Sequence, residues 1–449
     1  MNTLNWIGIF RLGLVQAALG SIVVLTTSTL NRVMVVELNL AAVVPGALVG
    51  LHYGVQLARP LWGHGSDRGG RRTPWIIGGV ALLAVAGTGA AAAVAIMADN
   101  YAVGVVLAVL DFVLIGVGVG AAGTSLLALL ASSVSTERRP AAATVVWLMM
   151  IFGIAMTAVV TGSFLDPFSM QRLIAVTAIT GLASLTLTVI AVAGVEKPRQ
   201  RGAILAAAAK ERAGSFRDGL ADAWQDPQAR LFTIFVLVSM LGYSMQDLIL
   251  EPFAGITFDM TPGATTKLSG LQNGGVFMGM VLTGFAGSLL SKRFPSTLKF
   301  LTIAGCVVSA LSLAALAMSA SFPSTWPLAA NVAVLGFANG VFAVAAIASM
   351  MALAGAAGAS KVGLRMGLWG AAQAIGFGFG GFAGTAAVDL IRFSGATAPA
   401  AYGAVFLLEA VVFLVAAAIA ARIAPVNAPK ERLARFDRRG YQSGLQAAE

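Results

Sequence analysis

Long apolar runs broken by short polar stretches repeat along the whole chain. Twelve such runs fall at 12–36, 42–62, 75–97, 102–131, 143–163, 172–194, 229–250, 267–290, 298–319, 327–354, 364–388 and 401–423. A helix needs ~20 mostly apolar residues to cross the hydrocarbon core of a bilayer, and each run comes near that length. Spans of a β-barrel would read as short segments of alternating polarity, and the sequence lacks them. The pattern predicts an all-α membrane protein with twelve transmembrane helices. The opening Met1–Phe10 has neither the basic start nor the small-residue cleavage site of a signal peptide. It reads as a short interfacial segment anchored by Trp6.

The longest polar interval, Val195–Arg230, divides the spans six and six. Four regions are expected: an N-terminal six-helix bundle at 1–194, a cytoplasmic linker at 195–228, a C-terminal six-helix bundle at 229–424 and a basic cytoplasmic tail at 425–449. Within the linker, Phe216, Leu220 and Trp224 recur every fourth residue, and Ser215 with Asp218 resembles a capping pair. A short helix lying on the membrane face is expected there. The two bundles look duplicated. Asp111, Gly116 and Gly120 of span four match Asn331, Gly336 and Gly340 of span ten at a constant offset of 220 residues. Spans one and seven also end alike, in NRVMVVEL and MQDLILEP. Duplicated halves with a long cytoplasmic link resemble the major facilitator architecture of two pseudo-symmetric six-helix bundles.

Composition agrees, with 58% apolar and 11% charged residues, where soluble domains carry about a quarter charged. A net charge of +10 raises nucleic acid as a partner, but the placement of the charges argues against it. Of 29 Lys and Arg, only Arg32, Arg172, Lys267 and Arg392 fall on the side of loops 1–2, 3–4 and so on. That asymmetry is the positive-inside signal and places both termini in the cytoplasm. The basic loops then meet anionic lipid headgroups. The single cysteine, Cys306, lies within span nine and leaves no disulfide framework or structural metal cluster to expect.

Between spans two and three stands Gly63-His-Gly-Ser-Asp67-Arg68-Gly-Gly-Arg71-Arg72. It closely resembles the loop 2–3 signature of the major facilitator superfamily, Gly-x-x-x-Asp-Arg-x-Gly-Arg-Arg. The resemblance implies a cytoplasmic latch in which Asp67 pairs with arginines and with a helix N-terminus, where an anion is favoured. The plainer alternative is a basic loop that only sets orientation. Two glycine runs, Gly118-x-Gly-x-x-Gly123 and Gly376-x-Gly-x-x-Gly381, have dinucleotide-fingerprint spacing. Each lies inside an apolar span with no strand before it, so helix packing is expected and a nucleotide is not.

His52, Gln56 and Arg59, at i, i+4 and i+7, place a polar stripe on one face of span two. Such a stripe faces a bundle interior or a ligand groove rather than lipid tails. His52 reads either as hydrogen-bonded within the bundle or as a neutral imidazole ligating a metal or a macrocycle. Arg32 and Glu37 close span one on the periplasmic side, and Asp247 and Glu251 close span seven. Arg32 paired with either acid of span seven makes a periplasmic latch; charges snorkelling to the interface are the alternative. Asp111 and Glu409 are intramembrane acids, suited to proton coupling or to a buried partner. Glu409, in a peripheral span, also suits a face toward a partner protein.

Three stretches are more specific: TSTLNRVMVVEL at Thr27–Leu38, LHYGVQLARPLWGHGSDRGGRRTPWI at Leu51–Ile76 and SMQDLILEPFAG at Ser244–Gly255. Together they strongly resemble the PucC/LhaA family of purple photosynthetic bacteria, the bacteriochlorophyll-delivery branch of the major facilitators. The resemblance implies a non-enzymatic assembly factor for light-harvesting complexes in the intracytoplasmic photosynthetic membrane. Its ligand is then bacteriochlorophyll, held transiently, and its partners are antenna polypeptides, with pigment-synthesis enzymes as further candidates. If the pigment magnesium is ligated through imidazole, His52 becomes the candidate axial ligand, since His64 lies in the cytoplasmic loop. Water, a backbone carbonyl or Gln56 serves equally as the alternative. Proton-coupled transport of a small solute through Asp111 or Glu409 is the alternative, and an inactive scaffold the third. No nucleophile–base constellation points to an enzyme. Glycine-rich helix faces permit association into an oligomer.

Overall fold

The computed structural model describes residues 4–58, 71–135, 138–196, 224–290, 293–294, 296–356 and 362–423. They form twelve helices: α1 (Trp6–Glu37), α2 (Val43–Ala58), α3 (Thr73–Asp99), α4 (Tyr101–Ser133), α5 (Arg139–Phe164), α6 (Met170–Val192), α7 (Pro227–Thr257), α8 (Pro262–Leu290), α9 (Thr297–Ser319), α10 (Leu328–Ala356), α11 (Val362–Phe393) and α12 (Ala398–Arg422). Ten are long and apolar enough to cross a membrane. The apolar α2 is shorter, and α8 carries Thr265, Thr266, Lys267, Ser269, Gln272 and Asn273 in its first half. The expected linker helix and basic tail lie outside the described residues, apart from the linker's two ends.

One boundary differs from expectation. The segment read as interfacial is already helical from Trp6, because Asn5 caps it: Gly8 N–H donates to Asn5 Oδ1 at 2.9 Å. Asn100, Ser169 and Asp226 cap α4, α6 and α7 in the same local way, each satisfying N–H groups that a helix start leaves unpaired.

The packing repeats. In the first half α1 packs on α5 and α6, α2 on α4, and α3 on α4 and α6. In the second half α7 packs on α11 and α12, α8 on α10, and α9 on α10 and α12. Each contact is its counterpart advanced by six helices. The halves meet along α2–α11 and α5–α8, and each keeps its own apolar core, one around Phe112 and Ile115, the other around Phe253, Phe342 and Phe406. Large apolar side chains such as Leu110, Ile179, Leu311 and Leu407 are exposed on the outside, the arrangement a lipid solvent requires.

The offset of 220 residues holds at the level of single contacts. Gly116 of α4 lies against the carbonyl of His52 in α2, and Gly336 of α10 lies against the carbonyl of Gln272 in α8. A Cβ at either glycine would meet backbone, which fixes the residue type. Across the seam, Gly50 approaches Gly378 of α11 and Gly270 approaches Ala155 of α5. The turns agree as well: Asn39 (φ 51°) and Asp259 (φ 50°) both adopt the left-handed conformation that Asn and Asp tolerate best after glycine. Fingerprint-spaced glycines serve packing: Gly118 against Gly79 and Leu83 of α3, Gly376 and Gly381 against α7 at Leu237–Leu248, and Gly378 against Tyr53 of α2.

Candidate functional site

One end of the seam, where α1 finishes and α2 begins, is fastened by polar contacts between the halves. Two π-helical turns, Leu25–Thr29 and Val33–Glu37, bracket Leu30–Arg32 in α1. Such turns add a residue and re-aim side chains, often at functional positions. Here they present Thr29, Asn31 and Arg32 to the opposite half. The hydroxyls of Thr29 and Thr266 lie 3.2 Å apart, and Asn31 Nδ2 donates to the Leu248 carbonyl at 2.6 Å. Arg32, 2% exposed, pairs with Glu37 and donates to the Met260 carbonyl at 2.7 Å. The Glu251 carboxylate is faced by Arg32 and by the hydroxyls of Thr265 and Ser269. Arg32, Glu37 and Glu251 thus come together. Asp247 does not join them; it lies within electrostatic reach of Tyr243 and Glu409.

A second fastening at this end was not foreseen in the sequence. Asp389, near the end of α11, accepts the backbone N–H of Val43 at 2.6 Å at the start of α2. Asp166, after α5, accepts the Thr261 hydroxyl at 2.8 Å and the Gly263 N–H at 3.2 Å at the start of α8. Val43 and Gly263 are again 220 residues apart. Each half caps a helix start of the other, with a carboxylate where the helix dipole favours it.

At the other end, Gly63, Asp67 and Arg68 of the loop signature lie outside the described residues, as do Arg59 and His64. Arg71 is exposed, whereas Arg72 is buried and donates to the Ala128 carbonyl and to Ser132 Oγ of α4. Glu196, just past α6, accepts the Arg72 N–H at 2.7 Å, the Thr73 N–H at 2.7 Å and the Thr73 hydroxyl at 2.7 Å. This carboxylate is the cap of α3. The described part of the signature therefore binds the loop to its own half. Glu196 went unseen in the sequence because it stands 123 residues from the helix it caps.

On the seam, His52 and Gln56 are buried together, and Gln56 Nε2 lies 2.9 Å from His52 Nε2. With the amide donating, the imidazole accepts on Nε2 and carries its proton on Nδ1. The His52 ring meets the Tyr53 ring edge-on, centroids 4.8 Å apart. Tyr53 lies 6.1 Å from Phe377 of α11, which lies 5.6 Å from Tyr243 of α7, itself 6.4 Å from Phe342 of α10. A row of aromatic rings thus crosses from one half to the other beside the imidazole. Tyr53, Tyr243 and Phe377 were missed as site residues; the alternation of Phe with Gly in Gly376–Gly381 was the available signal. The positions equivalent to His52 and Gln56 are Gln272 and Val276, so the imidazole belongs to one half alone. As a test of fit, imidazole and flat aromatic faces suit a magnesium macrocycle in donor type. The Nε2 lone pair is held by Gln56, so a metal there takes the place of the amide.

Asp111 is half-buried in the α3–α4 contact, against Gly89. Its counterpart Asn331 donates to the Ser312 carbonyl of α9 at 2.9 Å and accepts from Trp326 Nε1 at 3.1 Å. Glu409 is fully buried in the C-terminal half, turned away from any partner protein at the surface of α12.

A duplicated twelve-helix bundle with this packing order is a multi-pass membrane protein of the major facilitator fold. The fold matches a bacterial homologue of the human lysosomal transporter Spinster in its inward-facing, unoccupied conformation, with a TM-score of 0.68 at 15% identity over 92% of this chain and 95% of that one. It matches the nucleoside transporter NupG with a TM-score of 0.64 at 13% identity, over 93% and 98%. Within that class the chain belongs to the PucC family, whose description, PUCC protein, fits residues 29–428. It is 51% identical over 418 residues to the Rhodobacter capsulatus protein named bacteriochlorophyll synthase 44.5 kDa chain, covering 93% of this chain and 95% of that one. It is 30% identical to Protein PucC of Rhodovulum sulfidophilum, over 86% and 85% of the two chains.

Proposed function

We propose that the protein is an assembly factor for photosynthetic light-harvesting complexes, which holds bacteriochlorophyll transiently and passes it to antenna polypeptides. The observation that carries this reading is the buried His52 imidazole beside an inter-half row of aromatic rings, in a chain of the PucC family. Bound pigment would bring a magnesium that needs a donor from the protein. His52 would supply that donor, and Tyr53, Phe377 and Tyr243 would supply flat apolar surface. Gln56 competes for the same lone pair, which keeps the hold weak, as a carrier requires. Membership beside a relative named for bacteriochlorophyll synthesis supports pigment as the ligand. We read the role as holding and handing over, with both termini in the cytoplasm and the membrane being the photosynthetic one.

The reciprocal caps of Asp166 and Asp389 favour one alternative, proton-coupled transport of a small solute. Hydrogen bonds of acids to helix starts part and re-form more readily than a packed apolar seam. The test is purification from a pigment-making host in mild detergent, followed by a near-infrared spectrum. Bound bacteriochlorophyll is expected in the wild type, lost in His52→Leu and retained in Gln56→Leu. A colourless wild-type protein that supports proton-driven solute uptake overturns the reading.

A further inference from the structure

Glu409 and Gln246 are polar residues enclosed in the apolar core of the C-terminal half, each 0% exposed. Among the described residues, neither Glu409 carboxyl oxygen has a hydrogen-bond partner, and neither does the amide nitrogen or oxygen of Gln246. The α7–α12 contact fixes their relative height. Gly242 of α7 lies against Val412 and Phe413 of α12, and Phe253 packs on Phe406 and Tyr402, centroids 5.0 and 6.0 Å apart. In this antiparallel pair Gln246 falls level with Glu409. Gln246 shares the face of Gly242 and Phe253, and Glu409 shares the face of Phe406 and Phe413, by the 3.6-residue period. Four unpaired polar atoms therefore stand at one level between two facing helices.

The match in chemistry is as close as the match in height. A neutral carboxylic acid has one donor and one acceptor edge, and a primary amide has the same. Drawn together by a small closure of α7 on α12, the two groups would satisfy each other through a pair of hydrogen bonds. An ionised carboxylate cannot, because it has no proton to give the amide oxygen, and leaving that group unmet in the core is costly. Asp247, next to Gln246 and less enclosed, stands within electrostatic reach of Glu409. Of the titratable groups on the helices packed here, Asp247 and Tyr243 on α7 and Cys306 on α9 lie nearest. Glu251 of α7 faces Arg32, and Lys299 of α9 donates to the Ala421 and Ile423 carbonyls at the far end of α12. Tyr402 lies two turns along α12, with Asp389 and Arg392 beyond it.

We propose that Glu409 and Gln246 form a proton-storing acid–amide pair, loaded and emptied through the partly exposed Asp247. The proton moves from water to an Asp247 oxygen and then to a Glu409 oxygen; no other bond changes. Loading closes α7 onto α12, and emptying loosens that contact, so protonation is linked to the position of α7. The pair itself, Glu409 and Gln246, contributes nothing to the His52 row, although Asp247 stands within electrostatic reach of Tyr243 at the end of that row.

Infrared difference spectroscopy of the full-length protein in lipid nanodiscs, exchanged from water into deuterated water, reads the pair directly. A protonated-carboxyl C=O stretching band is expected in the wild type, unchanged in Asp111→Asn and absent in Glu409→Gln. Gln246→Leu keeps Glu409 but should shift the band upward, toward the frequency of an acid without a partner, which a merely destabilised protein would not do. Asp247→Asn is expected to slow deuterium exchange of the band at least tenfold. A band that survives Glu409→Gln, or does not move in Gln246→Leu, overturns the pair. An unchanged exchange rate in Asp247→Asn overturns the route.

Discussion

At position 52 the N-terminal half carries an imidazole, and on the equivalent turn of α8 the C-terminal half carries the amide of Gln272. Both residues turn the same backbone carbonyl to a glycine, Gly116 or Gly336. At position 111 a carboxylate faces α3, and at position 331 a neutral amide faces α9. The first half holds Arg32 buried at its sealed end, whereas α7 places the acid Glu251 opposite it. Contacts made by backbone are duplicated, as are the carboxylate caps of Asp166 and Asp389; the side-chain contacts at these other positions have diverged. Duplication thus preserves the frame of close approaches and turns, and leaves each half free to carry different chemistry.

The sharpest break in that comparison is Arg32→Met. It removes the cation and leaves Glu37 and Glu251 facing each other's charge, so a stability loss of about 3–5 kcal/mol is expected, as for one partner of a buried pair. Denaturant unfolding in detergent measures it. A loss below ~1 kcal/mol means the pair is solvated and of the surface kind. Adding Glu251→Gln should recover part of the loss.

Next in size are Gly116→Ala and Gly336→Ala. Each puts a Cβ against a carbonyl of the neighbouring helix, and overpacking of this kind costs about 1–3 kcal/mol. If the frame is shared, the two losses agree within error. One tolerated and one damaging substitution would show that the two contacts are not equivalent.

Removing a distant helix cap comes third. Glu196→Ala exposes the start of α3 and should cost about 0.5–2 kcal/mol, the range for a lost N-cap. Asp166→Asn and Asp389→Asn should each weaken the sealed end. The readout is thiol labelling of a cysteine placed at Val43 or Gly263 in a Cys306→Ser background. Labelling is expected to rise a few-fold, similarly for the two acids. An unchanged rate in both would mean that apolar packing alone seals that end.

These caps also show what the sequence made legible. The spans were readable because membrane helices write their length in apolar residues, and the repeat because glycine is irreplaceable where backbones touch, as at Gly116 and Gly336. Asn5, Asn100, Ser169 and Asp226 announce helix starts locally. Asp166, Asp389 and Glu196 do the same work from far along the chain, and nothing in their neighbours marks them. Which acids face Arg32 stayed open in the sequence for a related reason. The π-turns of α1 rotate it to Glu37 and the Met260 carbonyl, and a regular helical wheel does not contain that rotation. Asp247 and Glu251, four residues apart, looked like one site, yet their surroundings divide them between Glu409 and Arg32.

The smallest expected effect on stability comes from exchanging the two side chains that the frame holds in equivalent places. His52→Gln combined with Gln272→His keeps both carbonyl–glycine contacts and trades one buried hydrogen-bonding group for another, so the cost should be near 1 kcal/mol. Its effect on ligand is expected to be total. In α8 the new imidazole faces Val276 where Gln56 stands in α2, and the row Tyr53–Phe377–Tyr243 remains on the other seam. An imidazole without that aromatic surface has no macrocycle to hold, so near-infrared absorbance should vanish although a histidine is present. Retention of pigment in the exchanged protein would locate the ligand away from the α2–α11 seam. Loss in the exchanged protein, with pigment kept in Gln272→His alone, would tie it to His52 and to the half that carries it.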